Sequence, residues 1–238
     1  MSKHLKRLAT PRTVRLHRKE RVWTTKPSPG PHTIEQSIPL LTIVRDYLHL
    51  CDLGKEAKRI ISSGEIIVDG AARKNHQYPC GFMDVLSIPK LEKDYRILYD
   101  RKGKLTLVPI EKQDASWKLC RVENKTIARE KKIQLNLHDG RNMLVEKNEY
   151  NTGDVLKLSF ADNKILDVYP FSKGTVAIII GGSHVGQIAG IEDVEIIASA
   201  KPNLAKMKAE TEFSTIKNHV FPIGKNTPAV PLPEVKML

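Results

Sequence analysis

The stretch Gly181-Gly182-Ser183-His184-Val185-Gly186-Gln187-Ile188 comes nearest in this chain to a phosphate-cradling loop. Its glycines have the G-x-x-x-x-G spacing of a nucleotide-binding P-loop, which must then continue with Lys and Ser or Thr. Gln187 and Ile188 stand there instead, so no ammonium reaches a γ-phosphate and no hydroxyl reaches a magnesium ion. The glycines read as left-handed turn positions in a tight barrel. Contact with RNA or protein through Gly181, Gly182, Ser183, His184, Gly186 and Gln187 remains open beside that plain turn reading.

Metal and acid–base chemistry find little support. Cys51, Cys80 and Cys120 form no Cys-x-x-Cys, and His76 and Cys80, four apart, have no second pair nearby. Three cysteines read as buried thiols of a cytosolic protein, and neither metal nor cofactor is expected. Asp69 precedes Gly70, which marks it as a turn residue and not a catalytic acid. Glu92 and Asp94 lie in polar surroundings, and no G-x-S-x-G accompanies the scattered histidines.

The remaining chemistry is cation to phosphate. The chain of 238 residues has 39 Lys and Arg against 27 Asp and Glu, a net charge of +12. That excess points to a polyanionic partner, most often nucleic acid. No run approaches the roughly 20 apolar residues needed to span a bilayer, so no membrane role is expected. The first residues carry no apolar core of a secretory signal. Apolar content of 40% supports packed cores, and aromatic content of 5% suggests small domains with thin ones.

The charge is concentrated in the first 33 residues, where nine cations face the single acid Glu20. The candidate contacts there are Lys3, His4, Lys6, Arg7, Arg12, Arg15, Arg18, Lys19, Arg21, Trp23 and Lys26. Pro27, Pro29, Gly30 and Pro31 block regular structure, and residues 12–21 could form a short helix. Ordering such a segment costs roughly 1–2 kcal/mol per residue in backbone entropy. Charge-assisted hydrogen bonds of about 1.5–3 kcal/mol each offset only part of that. The arm should therefore be loose alone and ordered within a nucleic-acid assembly, with Trp23 and the interleaved Leu and Val residues adding packing.

From Pro39 the pattern becomes helical: Leu40, Ile43, Val44, Tyr47 and Leu48 share one face. A second helix runs over about 55–63 and stops at Gly64. Its apolar face is Ala57, Ile60 and Ile61; its polar face carries Lys55, Lys58 and Arg59. Residues 65–68 are strand-like, Asp69-Gly70 begins a turn, and Arg73 and Lys74 follow. A basic helix face beside a basic turn suits folded RNA, although an ordinary solvated face remains the bland reading. Strands are expected over 84–88, 95–99, 105–110, 133–137, 142–145, 156–160 and 165–169. A glycine-marked strand group follows over 174–197, then an extended, mildly basic tail from Lys201.

Residues 39–88 resemble the S-four-type RNA-binding domain, through Gly54-Lys55-Glu56-Ala57-Lys58, Gly64, Val68-Asp69-Gly70 and Asp84-Val85. Further segments recur in order: Lys3-His4-Leu5-Lys6-Arg7-Leu8, Lys26-Pro27-Ser28-Pro29-Gly30-Pro31-His32, Tyr78-Pro79-Cys80-Gly81-Phe82-Met83-Asp84-Val85 and Tyr99-Asp100-Arg101-Lys102-Gly103. With these the chain resembles the archaeal and eukaryotic small-subunit ribosomal protein family called S-four-e. Residues 174–192 are similar to its KOW motif, and Ile223-Gly224-Lys225 to its closing segment.

The resemblance implies an α+β, multidomain fold: a basic N-terminal arm over 1–38, a small two-helix-plus-sheet S-four-type domain over 39–90, a central β-rich domain over 91–172, and a C-terminal KOW/SH3-like small β-barrel with its extension over 173–238. It implies a structural, non-catalytic role in the small ribosomal subunit. The partners would be small-subunit ribosomal RNA and neighbouring ribosomal proteins, with one copy per subunit, no homo-oligomer and a cytoplasmic location. The alternatives are an RNA-modifying enzyme or a transcription-elongation-type factor carrying the same modules.

Overall fold

The structure, a computed structural model, describes residues 4–128, 132–199, 201–209 and 211–232. It is a mixed α/β chain, rich in strands and poor in helices, that divides into two compact units. The first runs to Leu98 and adds Lys104–Lys118; the second takes Tyr99–Gly103 and the described residues from Leu119 onward.

In the first unit a five-stranded sheet has the order Ala71–Ala72, Ile67–Val68, Val85–Ile88, Lys93–Tyr99 and Leu105–Ile110. Asp69 and Gly70, at φ +52° and +75°, form the tight turn between the first two, the left-handed pair that a two-residue hairpin requires. The helical layer comprises a short α turn at Leu40–Thr42, a π-helical turn at Ile43–Tyr47 and the helix Gly54–Ser62. Leu40, Ile43, Val44, Ala57, Ile61, Ile66, Val68 and Leu86 are fully buried between the layers. The apolar face expected for 40–48 is thus present, but the backbone widens. The Leu48 amide donates to the Ile43 carbonyl at 2.9 Å, and His49 at φ +50° ends the turn.

The arm, expected from its charge to be loose, is seated on this unit. Leu5–Lys6 pairs with Trp23–Thr24, and Val14, buried, bridges Leu105. The short helix expected over 12–21 is replaced by turns. Carbonyls inside the segment are taken by other partners: Thr13 accepts from the Leu105 amide at 2.8 Å and His17 from Arg7 Nε at 2.7 Å, while the Arg18 guanidinium donates back to the carbonyls of Leu8, Thr10 and Pro11. Backbone acceptors satisfied in this way do not need a helix.

A buried chain of charges ties the unit together. Lys118, 0% exposed, donates to Asp69 at 2.6 Å and to Asp84 at 2.9 Å. Asp84 also pairs with His32 Nε2 at 3.0 Å and accepts from the Gly81 amide at 2.9 Å. Asp69 accepts from the Val85 amide at 3.0 Å. Burial pushes the Asp84 carboxyl up, but the Lys118 ammonium and then His32 outweigh it and hold it well below its usual 3.8. Asp69 goes the other way, raised by burial and then by the Asp84 charge.

The second unit contains two five-stranded sheets. One has the order Asn142–Val145, Ile133–Leu137, Trp117–Ile127, Val155–Ser159, Ile165–Tyr169 around Cys120, Val122, Leu135, Leu137, Leu156 and Leu158. The other has Glu212–Ile216, Leu204–Lys208, Ile188–Glu195, Val176–Ile179, Val220–Gly224 around Ala177, Ala189, Ile191, Ala205, Met207 and Val220. Two features differ from the sequence reading. The 11-residue strand Trp117–Ile127 was not expected, because Lys118 and Arg121 interrupt its apolar pattern. The tail from Lys201, expected as extended structure, is more regular than that: it contributes three strands of a sheet. Pro222 sits within the last of them, opposite Ala177 where the register shifts, which accommodates its missing amide.

Two outcomes follow from the buried charges. Lys118→Met leaves two carboxylates without their cation and should cost about 3–5 kcal/mol, read as a lowered denaturation midpoint. The depressed Asp84 group contributes stability that is complete above its unfolded value of 3.8 and is lost as pH falls through the folded one. Asp84→Asn should therefore be less stable at neutral pH yet lose less on acidification below 3.8, checked by denaturation midpoints across that range.

Candidate nucleic-acid interface

The helix Gly54–Ser62 presents the first group of exposed cations. The Leu53 amide donates to Glu56 Oε2 at 3.2 Å, which closes its N-terminus, and Gly64 at φ +81° ends it. Ala57 and Ile61 face the core, which leaves Lys55, Lys58 and Arg59 exposed. The second group follows the Asp69-Gly70 turn. The Arg73 amide donates to the Ile66 carbonyl at 3.1 Å, and its guanidinium lies 4.7 Å from the centre of the Tyr78 ring. Lys74 is exposed, and its stem passes within 3.5 Å of where a side chain at Gly64 would begin.

These two groups share one surface. The Lys74 stem beside Gly64 brings the loop to the end of the helix, and the His76 imidazole in that loop is pushed down by burial and then by the Lys58 charge. Burial, followed by the Asp84 charge, pushes the Tyr78 phenol up to about 12, so it remains a neutral ring beneath Arg73. The arm joins them: the Ser28 amide and hydroxyl both donate to the Gln77 carbonyl, at 2.9 and 3.1 Å. A Cβ on Gly30 would lie 2.7 Å from Pro79, a close approach that only glycine permits here. Lys26, half-buried, lies two residues before Ser28.

The other arm residues divide in two. Lys6, Arg12, Arg15, Lys19 and Arg21 are exposed, as is His4. Trp23, 55% exposed, lies opposite Lys6 across the short ladder and 5.6 Å from the His4 ring. Arg7 and Arg18 instead turn inward, Arg7 to the His17 carbonyl at 2.7 Å and to Asp46 at 3.5 Å. Lys3 lies outside the described residues.

The 181–187 loop belongs to the second unit. Gly182 and Gly186 have φ +83° and +80°, and a Cβ on Gly186 would fall 2.0 Å from the Asp100 carbonyl oxygen. A Cβ on Gly181 would strike the His219 ring at 2.6 Å. Packing alone therefore accounts for these glycines. The His184 ring stacks on Phe213 at 4.2 Å with its Nδ1 3.2 Å from Gln187 Oε1, and Ser183 and Gln187 are exposed.

Sequence reasoning missed the buried cations. Arg96, 0% exposed, donates to the carbonyls of Asp114 and Trp117 at 2.8 and 3.0 Å and stacks over the Trp117 ring at 4.2 Å. Arg121 donates to the carbonyls of Asn218 and Val220 at 2.8 and 3.1 Å. The available signal was a cation on the inward-facing register of an apolar strand. Asp69, weighed as a catalytic acid, is a turn residue with its side chain 5% exposed and ion-paired to Lys118. Cys120, His138 and Asp139 bring their ligand atoms within 4.8 Å of one another. Each already serves the hairpin turn: Cys120 Sγ donates to Asp139 at 3.5 Å, the Arg121 amide donates to His138 Nδ1, and the Arg141 amide donates to Asp139.

Comparison with known proteins adds a second line. Residues 91–165 match the family described as Ribosomal family S4e, and residues 1–35 match the RS4NT (NUC023) domain. The chain is 48% identical over 233 residues to the small ribosomal subunit protein eS4 of Methanothermobacter thermautotrophicus, covering 97% of this chain and 96% of that one. It is 47% identical over 223 residues to the eS4 protein of Archaeoglobus fulgidus, covering 93% of each. The crystal structure of the 30S ribosomal protein S4e from Thermoplasma acidophilum superimposes with a TM-score of 0.70 at 42% identity, over 80% of this chain and 96% of that one.

The geometry at Gly186 sets a test of the loop. Gly186→Ala combines a left-handed φ with a backbone clash and should destabilise the protein by at least about 1–3 kcal/mol, measured as a fall in the thermal midpoint. Ser183→Ala, at an exposed position, should leave that midpoint within about 0.5 kcal/mol.

Proposed function

Because the chain belongs to the ribosomal family S4e, we infer that it is a structural constituent of the small ribosomal subunit and not an enzyme. Near-complete coverage at 48% identity carries this conclusion. The readings as an RNA-modifying enzyme or an elongation-type factor are not favoured, because the relatives are small ribosomal subunit proteins.

We propose that small-subunit ribosomal RNA binds the surface formed by Lys55, Lys58, Arg59, Arg73 and Lys74 together with the arm cations. Supporting this are the exposure of Lys55, Lys58, Arg59 and Lys74, the half-buried Arg73 stacked beside them, and the arm's hydrogen bonds to the 75–78 loop. Such cations meet phosphates and fix position more than sequence, and folded RNA is read largely by shape. The planar Arg73–Tyr78 stack holds a guanidinium already oriented, which lowers the entropy lost on binding.

Four sequence segments divide the roles in this proposal. Residues 1–38 are the arm, 39–90 the S-four-type domain, 91–172 the central β-rich domain, and 173–238 a KOW-containing, SH3-like barrel with its extension. The last rests on the five-stranded sheet from Val176–Ile179 to Val220–Gly224 and its glycine turns at 182 and 186. The 181–187 loop would contact RNA or a neighbouring protein through Ser183, His184 and Gln187. One copy per subunit, without homo-oligomers, and a cytoplasmic location complete the proposal.

Sedimentation of a lysate through a sucrose gradient tests the function: the protein should travel with the small subunit at moderate salt, and absence from that peak refutes the role. Lys55→Ala/Lys58→Ala/Arg59→Ala should keep its circular dichroism, since these residues lie off the apolar face. It should bind small-subunit RNA more weakly, with a log–log salt slope smaller by about two to three. An unchanged slope would remove this helix from the interface.

A further inference from the structure

The two tryptophans of the chain are treated in opposite ways. Trp117 is 5% exposed and lies beneath the Arg96 guanidinium. Trp23, in the arm, is 55% exposed. An indole left in water forgoes much of the apolar burial for which the residue is suited. The packing expected of Trp23 from the sequence is therefore not made within the first unit.

The indole is nonetheless held in place. Trp23–Thr24 pairs with Leu5–Lys6, and the Arg7 amide donates to the Val22 carbonyl at 2.9 Å. Arg7 itself is buried and bonded to the His17 carbonyl. Residues directly opposite in an antiparallel pair share a face, with Cβ atoms about 4.5–5.5 Å apart. Lys6 is opposite Trp23 and exposed, so an ammonium stands beside the ring. The His4 ring is 5.6 Å away and inclined at 54°, so it is not stacked flat on the indole. Lys19 and Arg21 are exposed nearby in sequence, and Glu20 between them lies 3.8 Å from Arg7 Nη2. Leu8 and Val22 are exposed too, but aliphatic chains offer no flat π-face.

A flat ring beside an ammonium matches an unstacked nucleotide, whose base has a π-face and whose phosphate arrives with it. A protein pocket over the indole would have to match Lys6, Lys19 and Arg21 with acids of its own, since charged residues are depleted at interface cores. An RNA strand supplies an anion with every base.

We propose that Trp23 stacks an unpaired base of small-subunit RNA, with the adjoining phosphate at Lys6. The proposal rests on the ribosomal RNA-binding reading and deepens it. The arm cations meet the backbone, whereas Trp23 gives the arm a contact to a base. Because the ladder already fixes the indole, little ordering is left to do on binding. The contact is uncharged, so it persists at salt concentrations that weaken the cations.

The test follows the fluorescence of the full chain as purified small-subunit RNA is added. Trp117 is common to the wild type and Trp23→Phe, so the difference between them reports Trp23. Stacking should quench that emission and shield it from acrylamide. Trp23→Ala changes an exposed side chain and should keep its circular dichroism. It should bind about 5- to 150-fold more weakly with an unchanged salt slope, whereas Lys6→Ala should lower the slope by about one. An indole that only braced the arm would stay in solvent and would not be quenched. If the wild-type chain binds the RNA with its Trp23 emission unchanged, no base stacks there and the indole is left to a neighbouring protein, while the broader function stands. If the wild-type chain does not bind the RNA, the broader reading fails and this inference falls with it.

Discussion

The first unit is organised around charges that have been taken out of water. Removing one carboxylate or ammonium from solvent costs several kcal/mol after relaxation, and only close partners offset it. Lys118 between Asp69 and Asp84, with His32 beyond, is such a set. Each member comes from a different part of the chain: the arm, the tight turn, the start of a strand and the long strand Trp117–Ile127. No member can be placed unless the others are, so the turn after Val68, the seat of the arm and the entry to that strand are fixed together. The two carboxyls are shifted in opposite directions: burial and then the Asp84 charge raise Asp69, whereas against its burial Asp84 has Lys118, His32 and the Gly81 amide.

The same economy separates two kinds of cation in a strongly basic chain. Arg7, Arg18, Arg96 and Arg121 use their planar, many-donor groups on backbone carbonyls, and Arg96 and Arg121 also lie over aromatic rings. These arginines staple turns and strand ends, where carbonyls would otherwise be unmatched. The exposed cations, mostly lysines with Arg12, Arg15, Arg21 and Arg59, remain available to phosphates. Counting charge alone treats the two kinds as equivalent; burial distinguishes them.

Much of this was legible in the sequence, for identifiable reasons. The helix Gly54–Ser62 has a clean apolar face and a glycine stop, so both its position and its exposed Lys55, Lys58 and Arg59 could be read in advance. Alternation marked the strands Ile133–Leu137, Asn142–Val145 and Ile165–Tyr169 just as directly. The strand Trp117–Ile127 was hidden because Lys118 and Arg121 occupy inward positions, and pattern reading assigns cations to the outside. Strands after Lys201 were hidden because Pro222 and alternating lysines resemble coil until a partner strand is supplied.

The buried charge chain also sets an order of events during synthesis. The ion pairs close separations of 49 and 34 residues, and the histidine contact one of 52. The arm leaves the ribosome first, and its contacts from Ser28 to Gln77 and from Val14 to Leu105 lie wholly before Lys118 in the chain. The charge set itself closes only with that lysine, because two carboxylates brought together out of water need their cation. The last residue of the first unit is the piece that completes it.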